Sequence, residues 1–182
     1  DHNTIEGALE VQRMAPFRVI VGEEIKTLGG EIIGLFLSEA VPRNLSSLET
    51  VQRIKEQGGL VAIPHPFDHF RRSVIDPRAL QEVLPYVDIV EGFNARNTFQ
   101  RDNRTARELA REHGLLTSAV SDSHILMELG RTYVETSDFD GTPRGLRDAL
   151  AQGTPVCRPI TPLIHVLTTL TKGKKRLARL WH

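Results

Sequence analysis

Apolar and polar positions along the chain follow two patterns. Short apolar runs rich in β-branched residues predict strands, at residues 17–22, 31–37, 60–63, 87–90, 115–120, 132–135 and 155–158. Longer segments with an apolar residue every three or four positions predict helices, at residues 4–14, 46–57, 98–113, 142–152 and 162–180, with a short helix after Pro77. The alternation of strands and helices predicts an α/β fold built from βαβ units.

Four of the predicted strands lead directly to carboxylate or imidazole side chains. The run at 60–63 enters Pro64-His65-Pro66, where two prolines fix the backbone around one imidazole. The other three runs lead to Glu24, to Glu91 and to the sequence Ser121-Asp122-Ser123-His124. Because the carboxyl ends of parallel strands line one face of such folds, we expect these side chains to converge. Convergent histidines and carboxylates predict a metal site.

Composition narrows the classes of function. The chain has 182 residues, enough for one domain, and its 23 basic and 23 acidic residues give a formal charge of zero. This balance indicates no general attraction to long nucleic acid or to a membrane surface. No apolar segment approaches the roughly 18 residues that span a bilayer, and the single cysteine excludes an internal disulfide. We therefore predict a cytoplasmic protein, and no pattern predicts its oligomeric state.

The first two residues have side chains that could bind a metal, but no predicted strand precedes them. Asp1 and His2 stand immediately before the helix predicted at 4–14, so the chain is expected to begin within a strand-to-helix turn. Asp1 and His2 would then occupy the same rim as Glu24 and His65. The alternative is that these two residues are a frayed terminus.

The ordered set of motifs resembles the polymerase and histidinol phosphatase (PHP) domain superfamily. The motifs are Asp1-His2, Gly22-Glu23-Glu24-Ile25, Pro64-His65-Pro66, Glu91 with Asn94, and Ser121-Asp122-Ser123-His124. The resemblance covers Asp1 to about Arg158 and implies a distorted seven-stranded βα barrel of the TIM-like type. Members of the superfamily open with a strand ending in His-x-His, which this sequence lacks. The resemblance therefore implies a barrel incomplete at its N-terminus here, because the sequence is expected to be a piece of a longer protein; the alternative is an incomplete site. The expected organisation is a metallohydrolase domain at residues 1–160 and a basic C-terminal helix at residues 161–182.

The resemblance also implies roles for individual residues. The implied metal ligands are Asp1, His2, Glu24, His65, Glu91, Asp122 and His124. His65, Asp122 and His124 are the implied catalytic residues. Glu31 stands where some members with three metals carry a histidine, so the resemblance does not decide whether a third metal binds here. Candidate substrate-binding residues, on loops beyond the strands, are Asn94, Arg96, His69 and Arg71, with Arg72 and Arg101 as further guanidinium groups that could bind phosphate.

The expected chemistry is hydrolysis assisted by two or three divalent ions. Imidazole and carboxylate donors without a thiolate suit Mn²⁺, Fe²⁺ or Zn²⁺ alike. Such ions would activate a water as hydroxide for attack on a small or nucleotide-like phosphate ester. The same hydroxide could serve an exonuclease-like enzyme or an amide or carbamate hydrolase. A different class of function, an inactive metal-binding module that contacts a partner, also remains open.

Overall fold

A central five-stranded sheet organises the molecule, which the computed structural model describes over residues 1–160. Its strands are β1 (Gly22–Thr27), β2 (Gly30–Leu35), β3 (Leu60–Ile63), β4 (Ile89–Asn94) and β5 (Leu116–Val120), in that spatial order. A separate antiparallel pair consists of β6 (Tyr133–Glu135) and β7 (Thr154–Val156). The mixed α/β class predicted from the sequence is therefore confirmed.

Within residues 1–160 the structure has five α-helices, and local sequence signals set their ends. They are α1 (Glu6–Met14), α2 (Ser47–Glu56), α3 (Pro77–Val83), α4 (Gln100–His113) and α5 (Pro143–Gln152), with 3₁₀ turns at Leu84–Tyr86 and Leu126–Glu128. The Ser46 hydroxyl accepts a hydrogen bond from the Glu49 N–H at 3.1 Å and caps α2. Gly114 ends α4 in the left-handed conformation, at φ 65°. The five helices lie close to the predicted positions.

Helices cover both faces of the central sheet. On one face α2 packs Val51 and Ile54 against Ile25, Ile32 and Ile63, all of which are fully buried. On the other face Leu146 of α5 packs near Leu60 and Ile89. Because β3 is buried along its whole length, its end is held rigidly, and the residues that follow it inherit a fixed position.

The structure corrects two predictions about the first strands. Residues 17–21 do not form a strand, and β1 instead contains Glu23 and Glu24. Glu23 is tolerated inside the strand because its buried carboxylate accepts the Val41 N–H at 2.9 Å. The βαβ unit predicted over residues 31–63 is also wrong in strand direction, since β2 is antiparallel to β3, as it is to β1. A two-residue turn joins β1 to β2, and so short a connection permits only an antiparallel hairpin.

The hairpin keeps the other strands in a common direction. With β2 the one reversed strand of this sheet, β1 runs parallel to β3, and β3, β4 and β5 are parallel to their neighbours. The carboxyl ends of these four strands therefore share one edge of the sheet, and β2 begins at that same edge. Glu31, near the start of β2, is carried there by the reversal.

Within residues 1–160 the strands form these two sheets and do not close into a barrel. The seven-stranded barrel therefore stays a prediction. The assignment of residues 1–160 to one metallohydrolase domain also stays a prediction. The basic helix expected at residues 161–182 lies outside the described residues. Across the described residues, none of the helices is long and apolar enough to cross a bilayer.

Candidate metal centre

The first three residues run alongside β1. The Glu24 N–H donates to the Asp1 carbonyl at 2.9 Å, and the Asn3 N–H donates to the Glu24 carbonyl at 3.0 Å. These bonds form a parallel bridge between His2 and Glu24. As a result, the His2 Nδ1 atom lies 3.2 Å from the Glu24 Oε2 atom.

Two further side chains meet this pair. Glu24 and Lys26 face the same side of β1, and Lys26 stands opposite Glu31 in β2, which brings both glutamates together. The His65 Nε2 atom lies 3.1 Å from Glu24 Oε1 and 3.7 Å from Glu31 Oε2. His2 Nδ1 is also 3.7 Å from Glu31 Oε1. We call His2, Glu24, Glu31 and His65 the four-residue cluster.

The donor atoms of His2, Glu24 and Glu31 fit a divalent cation, and His65 lies against the other oxygen of each glutamate. Two ligand atoms on one such ion, each about 2.0–2.2 Å from it, are separated by about 3 Å. The closest donor pairs here are 3.1 and 3.2 Å apart, and the donors of His2, Glu24 and Glu31 all lie within 4.8 Å of one another. Two imidazoles and two carboxylates are ligands suited to Mn²⁺, Fe²⁺ or Zn²⁺. Glu31 thus joins the same group as Glu24 and does not stand apart from it.

Burial and pairing shape the protonation of the cluster. Burial opposes ionisation of Glu24, but the hydrogen bond from His65 and the charge of His2 outweigh it and hold the Glu24 pKa below its ordinary value. For His65, burial lowers the pKa, and the Glu24 hydrogen bond more than offsets this, leaving the His65 pKa raised. The two groups therefore favour an ion pair when no cation is bound.

Glu91 and Asp122 lie beside the cluster and are linked by one amide. The Glu91 Oε2 atom accepts the His65 N–H at 2.9 Å and the Asn94 Nδ2 atom at 3.0 Å. Asn94 Nδ2 also lies 3.3 Å from Asp122 Oδ2. The sequence predicted that Glu91 follows a strand, but the structure places it inside β4. Burial raises the pKa of the Glu91 carboxyl group. A cavity of about 220 Å³ is lined by Glu24, His65, Glu91, Asp122 and Asp1 together.

Both residues that turn the chain at the strand ends have an uncommon backbone. His65 follows β3 with φ 30°, and Asp122 follows β5 with φ 49°. L-residues other than glycine rarely adopt positive φ, and such conformations concentrate at functional sites. The predicted stiff corner at His65 is therefore a strained corner, and Asp122 forms a second one.

His124 lies on the next turn, which a buried carboxylate holds in place. Its Nδ1 atom is 2.8 Å from the Asp122 carbonyl oxygen, and its N–H donates to Glu128 Oε2. Glu128, fully buried, also accepts a hydrogen bond from the Arg96 guanidinium. His124 and Arg96 line a second cavity of about 470 Å³, with His2 and Glu31 at its wall.

The remaining candidates divide between this second cavity and its surroundings. Arg71 lines the cavity and pairs with both Asp68 and Asp122. His69 is exposed and lies 3.0 Å from the buried Asp102 carboxylate, and it lines a separate, largely apolar cavity. Arg101 lies over the Phe99 ring at 4.6 Å. Arg71 and Arg96 are thus better placed than His69 and Arg101 to meet a ligand of the four-residue cluster.

Sequence reasoning missed the carboxylates that hold these arginines and histidines. Asp68, Asp102 and Glu128 are all buried and all paired with a basic side chain or ring. Glu128 pairs with a residue 32 positions away, and no local pattern around it signals that contact. The only available signal was indirect, since a buried arginine requires an acidic partner.

Known proteins resemble this chain in sequence and in fold. Residues 100–155 match the family model described as PHP-associated. Two uncharacterised proteins of Methanocaldococcus jannaschii are similar, one 42% identical over 66% of this chain and 52% of its own length, the other 47% identical over 52% of this chain and 55% of its own length. The chain thus spans about half the length of the curated relatives it matches.

A solved structure shows the same fold at lower identity. It is a two-domain protein from Bacteroides vulgatus that contains a predicted PHP-like metal-dependent phosphoesterase. The likeness has a TM-score of 0.61 at 18% identity and covers 85% of this chain and 49% of that chain. At this identity the likeness establishes the fold, while the side chains at the strand ends carry any argument about chemistry.

Proposed function

We propose that this chain is a metal-dependent hydrolase of the PHP domain superfamily that cleaves a small or nucleotide-like phosphate ester, a proposal supported by the PHP-associated match of residues 100–155 and by the shared fold. The observation that carries the proposal is the meeting of His2, Glu24, Glu31 and His65 at one edge of the sheet. The four groups come from four different segments, namely the N-terminal residues, β1, β2 and the turn after β3, and a purely structural role does not require them to meet.

Each group has a proposed part. His2, Glu24 and Glu31 would hold one divalent ion. His65, Glu91, Asp122 and Asp1, which line the smaller cavity together with Glu24, would complete a second position. Bound divalent ions supply electrostatic stabilisation of the phosphoryl oxygens and lower the pKa of water. Two ions are the proposed number. The described residues offer Glu31 no separate group of donors that would make a third.

The side chains of the larger cavity would bind the ester. Arg71 and Arg96 lie in its wall, where guanidinium groups can hold two oxygens of one phosphate. His124 lines the same cavity and is the proposed proton donor to the leaving alcohol, because its Nδ1 is engaged by the Asp122 carbonyl and fixes the ring. Hydrolysis would add water to phosphorus, break the bond to the alcohol oxygen and return a proton to that oxygen.

The test combines metal analysis with turnover on a substrate panel. The full-length protein should retain divalent metal after dialysis and hydrolyse at least one phosphate ester with added Mn²⁺. His65→Ala and Asp122→Ala should lower turnover by at least a hundredfold, since each removes a proposed metal ligand. His113→Ala, an exposed histidine at the end of α4, is the matched control and should leave turnover unchanged.

The panel also separates the neighbouring possibilities. Phosphate monoesters, short oligonucleotides and aryl amides or carbamates should be compared under the same metal. Turnover restricted to amides or carbamates would replace the phosphoesterase with another metallohydrolase. Stoichiometric metal without turnover on any of them would leave a metal-binding module, and absence of bound metal would overturn the proposal entirely.

A further inference from the structure

The larger cavity has an exposed aromatic pair at its rim. Phe70 lines the cavity and is 68% exposed, and its ring lies 5.5 Å from that of Phe99, with the planes tilted by 38°. Phe99 follows Thr98, which also lines the cavity. The Arg101 guanidinium lies over the Phe99 ring at 4.6 Å. Two phenylalanines that contact each other in water, beside a polar cavity, leave an apolar surface available to a planar ligand.

Positive charge is available in the same cavity. Arg71 and Arg96 are engaged by Asp68, Asp122 and Glu128. Lys26 and Arg72 also line the cavity and are exposed, and within residues 1–160 neither has an acidic side chain within ion-pair distance. An anionic ligand could therefore be bound by these two cations without breaking an existing pair.

We propose that the phosphate ester bound here is a nucleoside phosphate. This inference rests on the proposed function and specifies its substrate class. The base would stack on the Phe70–Phe99 pair. The phosphate would lie toward the four-residue cluster, where Lys26 and Arg72 would add positive charge to that of Arg71 and Arg96. Every base presents a planar face, so stacking suits this class without base-specific contacts. A phosphorylated sugar or polyol has no planar ring and would leave the aromatic pair in water.

Binding measurements without turnover test the proposal directly. AMP and ribose 5-phosphate differ only in the base, and their dissociation constants can be compared by NMR titration in EDTA, where hydrolysis is suppressed. We expect AMP to bind at least tenfold more tightly. Phe70→Ala should weaken AMP binding roughly tenfold and leave ribose 5-phosphate unchanged, whereas Phe70→Trp should retain the preference.

Phe17→Ala provides a matched control. Phe17 is also 68% exposed and does not line the cavity, so its removal should change neither constant. Arg72→Ala should weaken both ligands equally. Equal affinity for AMP and ribose 5-phosphate, no binding of either, or an unchanged preference in Phe70→Ala would overturn the inference. Failure of the proposed function would look different, with AMP selectivity intact but no phosphate ester hydrolysed in Mn²⁺.

Discussion

At the scale of single residues, the site depends on His65. Its ring is buried, its Nε2 atom faces Glu24 and Glu31, and its N–H is bound by Glu91. The sequence predicted the corner at His65 because prolines flank it and an apolar run precedes it. It could not predict Glu31 as a neighbour of His65, since that contact depends on the reversal of β2.

Stability of the metal-free protein should depend on pH through the Glu24–His65 pair. Glu24 has a folded pKa below its ordinary 4.5, so its contribution is fully present above about pH 4.5 and is lost as the pH falls through the folded pKa. His65 has a folded pKa above its ordinary 6.5, so its contribution is fully present below about pH 6.5 and is lost as the pH rises through the folded pKa.

The contribution of the pair should therefore be largest between about pH 4.5 and 6.5. The measurement is the difference in free energy of unfolding between the unsubstituted protein and Glu24→Gln, from urea titrations in EDTA. Taking the difference removes the opposite effect of Glu91, whose raised pKa makes its ionisation unfavourable. A difference that stays constant from pH 4 to pH 9 would show that the pair is not formed.

At the scale of elements, two connections determine where the site residues lie. The β1–β2 hairpin carries Glu31 to the carboxyl ends of the parallel strands, and the turn at Leu126–Glu128 holds His124 against Arg96. Helix positions were predictable because caps and apolar spacing are local signals. The position of the hairpin was not predictable from such signals, because β1 is poor in apolar residues. The hydrogen bond that allows Glu23 to be buried in β1 comes from Val41, which is remote in sequence.

The hairpin should be sensitive to a single methyl group at Gly30. This residue has φ 116°, and a Cβ atom there would lie 2.4 Å from the Ile75 Cα atom. Gly30→Ala should destabilise the protein by about 3 kcal/mol or more, through backbone strain and overpacking together. Gly58→Ala is the control, because Gly58 has φ 72° but open space around it and should cost only about 1 kcal/mol. Thermal and urea unfolding would report both, and equal losses would refute the proposed overlap.

The Glu128–Arg96 pair should behave as a buried ion pair. Removing the carboxylate in Glu128→Ala leaves the Arg96 guanidinium without this partner in a buried site, which should cost about 3–5 kcal/mol. The double variant Glu128→Ala with Arg96→Met should recover part of that loss. A double-mutant cycle in urea measures the coupling. Strictly additive losses would mean that the two side chains act independently.

At the scale of the whole molecule, the residues that meet at the strand ends were easier to predict than the topology. Strand-end carboxylates and histidines were found from the sequence because they follow or lie in apolar runs, and four of them share the cavity beside β1, β3, β4 and β5. The α/β class followed from periodicity alone. The order and direction of strands depend on pairings between distant segments, which local sequence patterns do not reveal. The same is true of the buried acids that position Arg71, Arg96 and His69.

The left-handed corners at His65 and Asp122 allow side-chain and backbone contributions to be separated. Alanine removes the functional group and retains the backbone penalty of positive φ, whereas glycine removes both. At each corner the glycine variant should therefore unfold about 1 kcal/mol less readily than the alanine variant, while both should be equally inactive. The difference in unfolding free energy between the two variants would measure the backbone strain that the fold tolerates at each corner in order to orient an imidazole and a carboxylate.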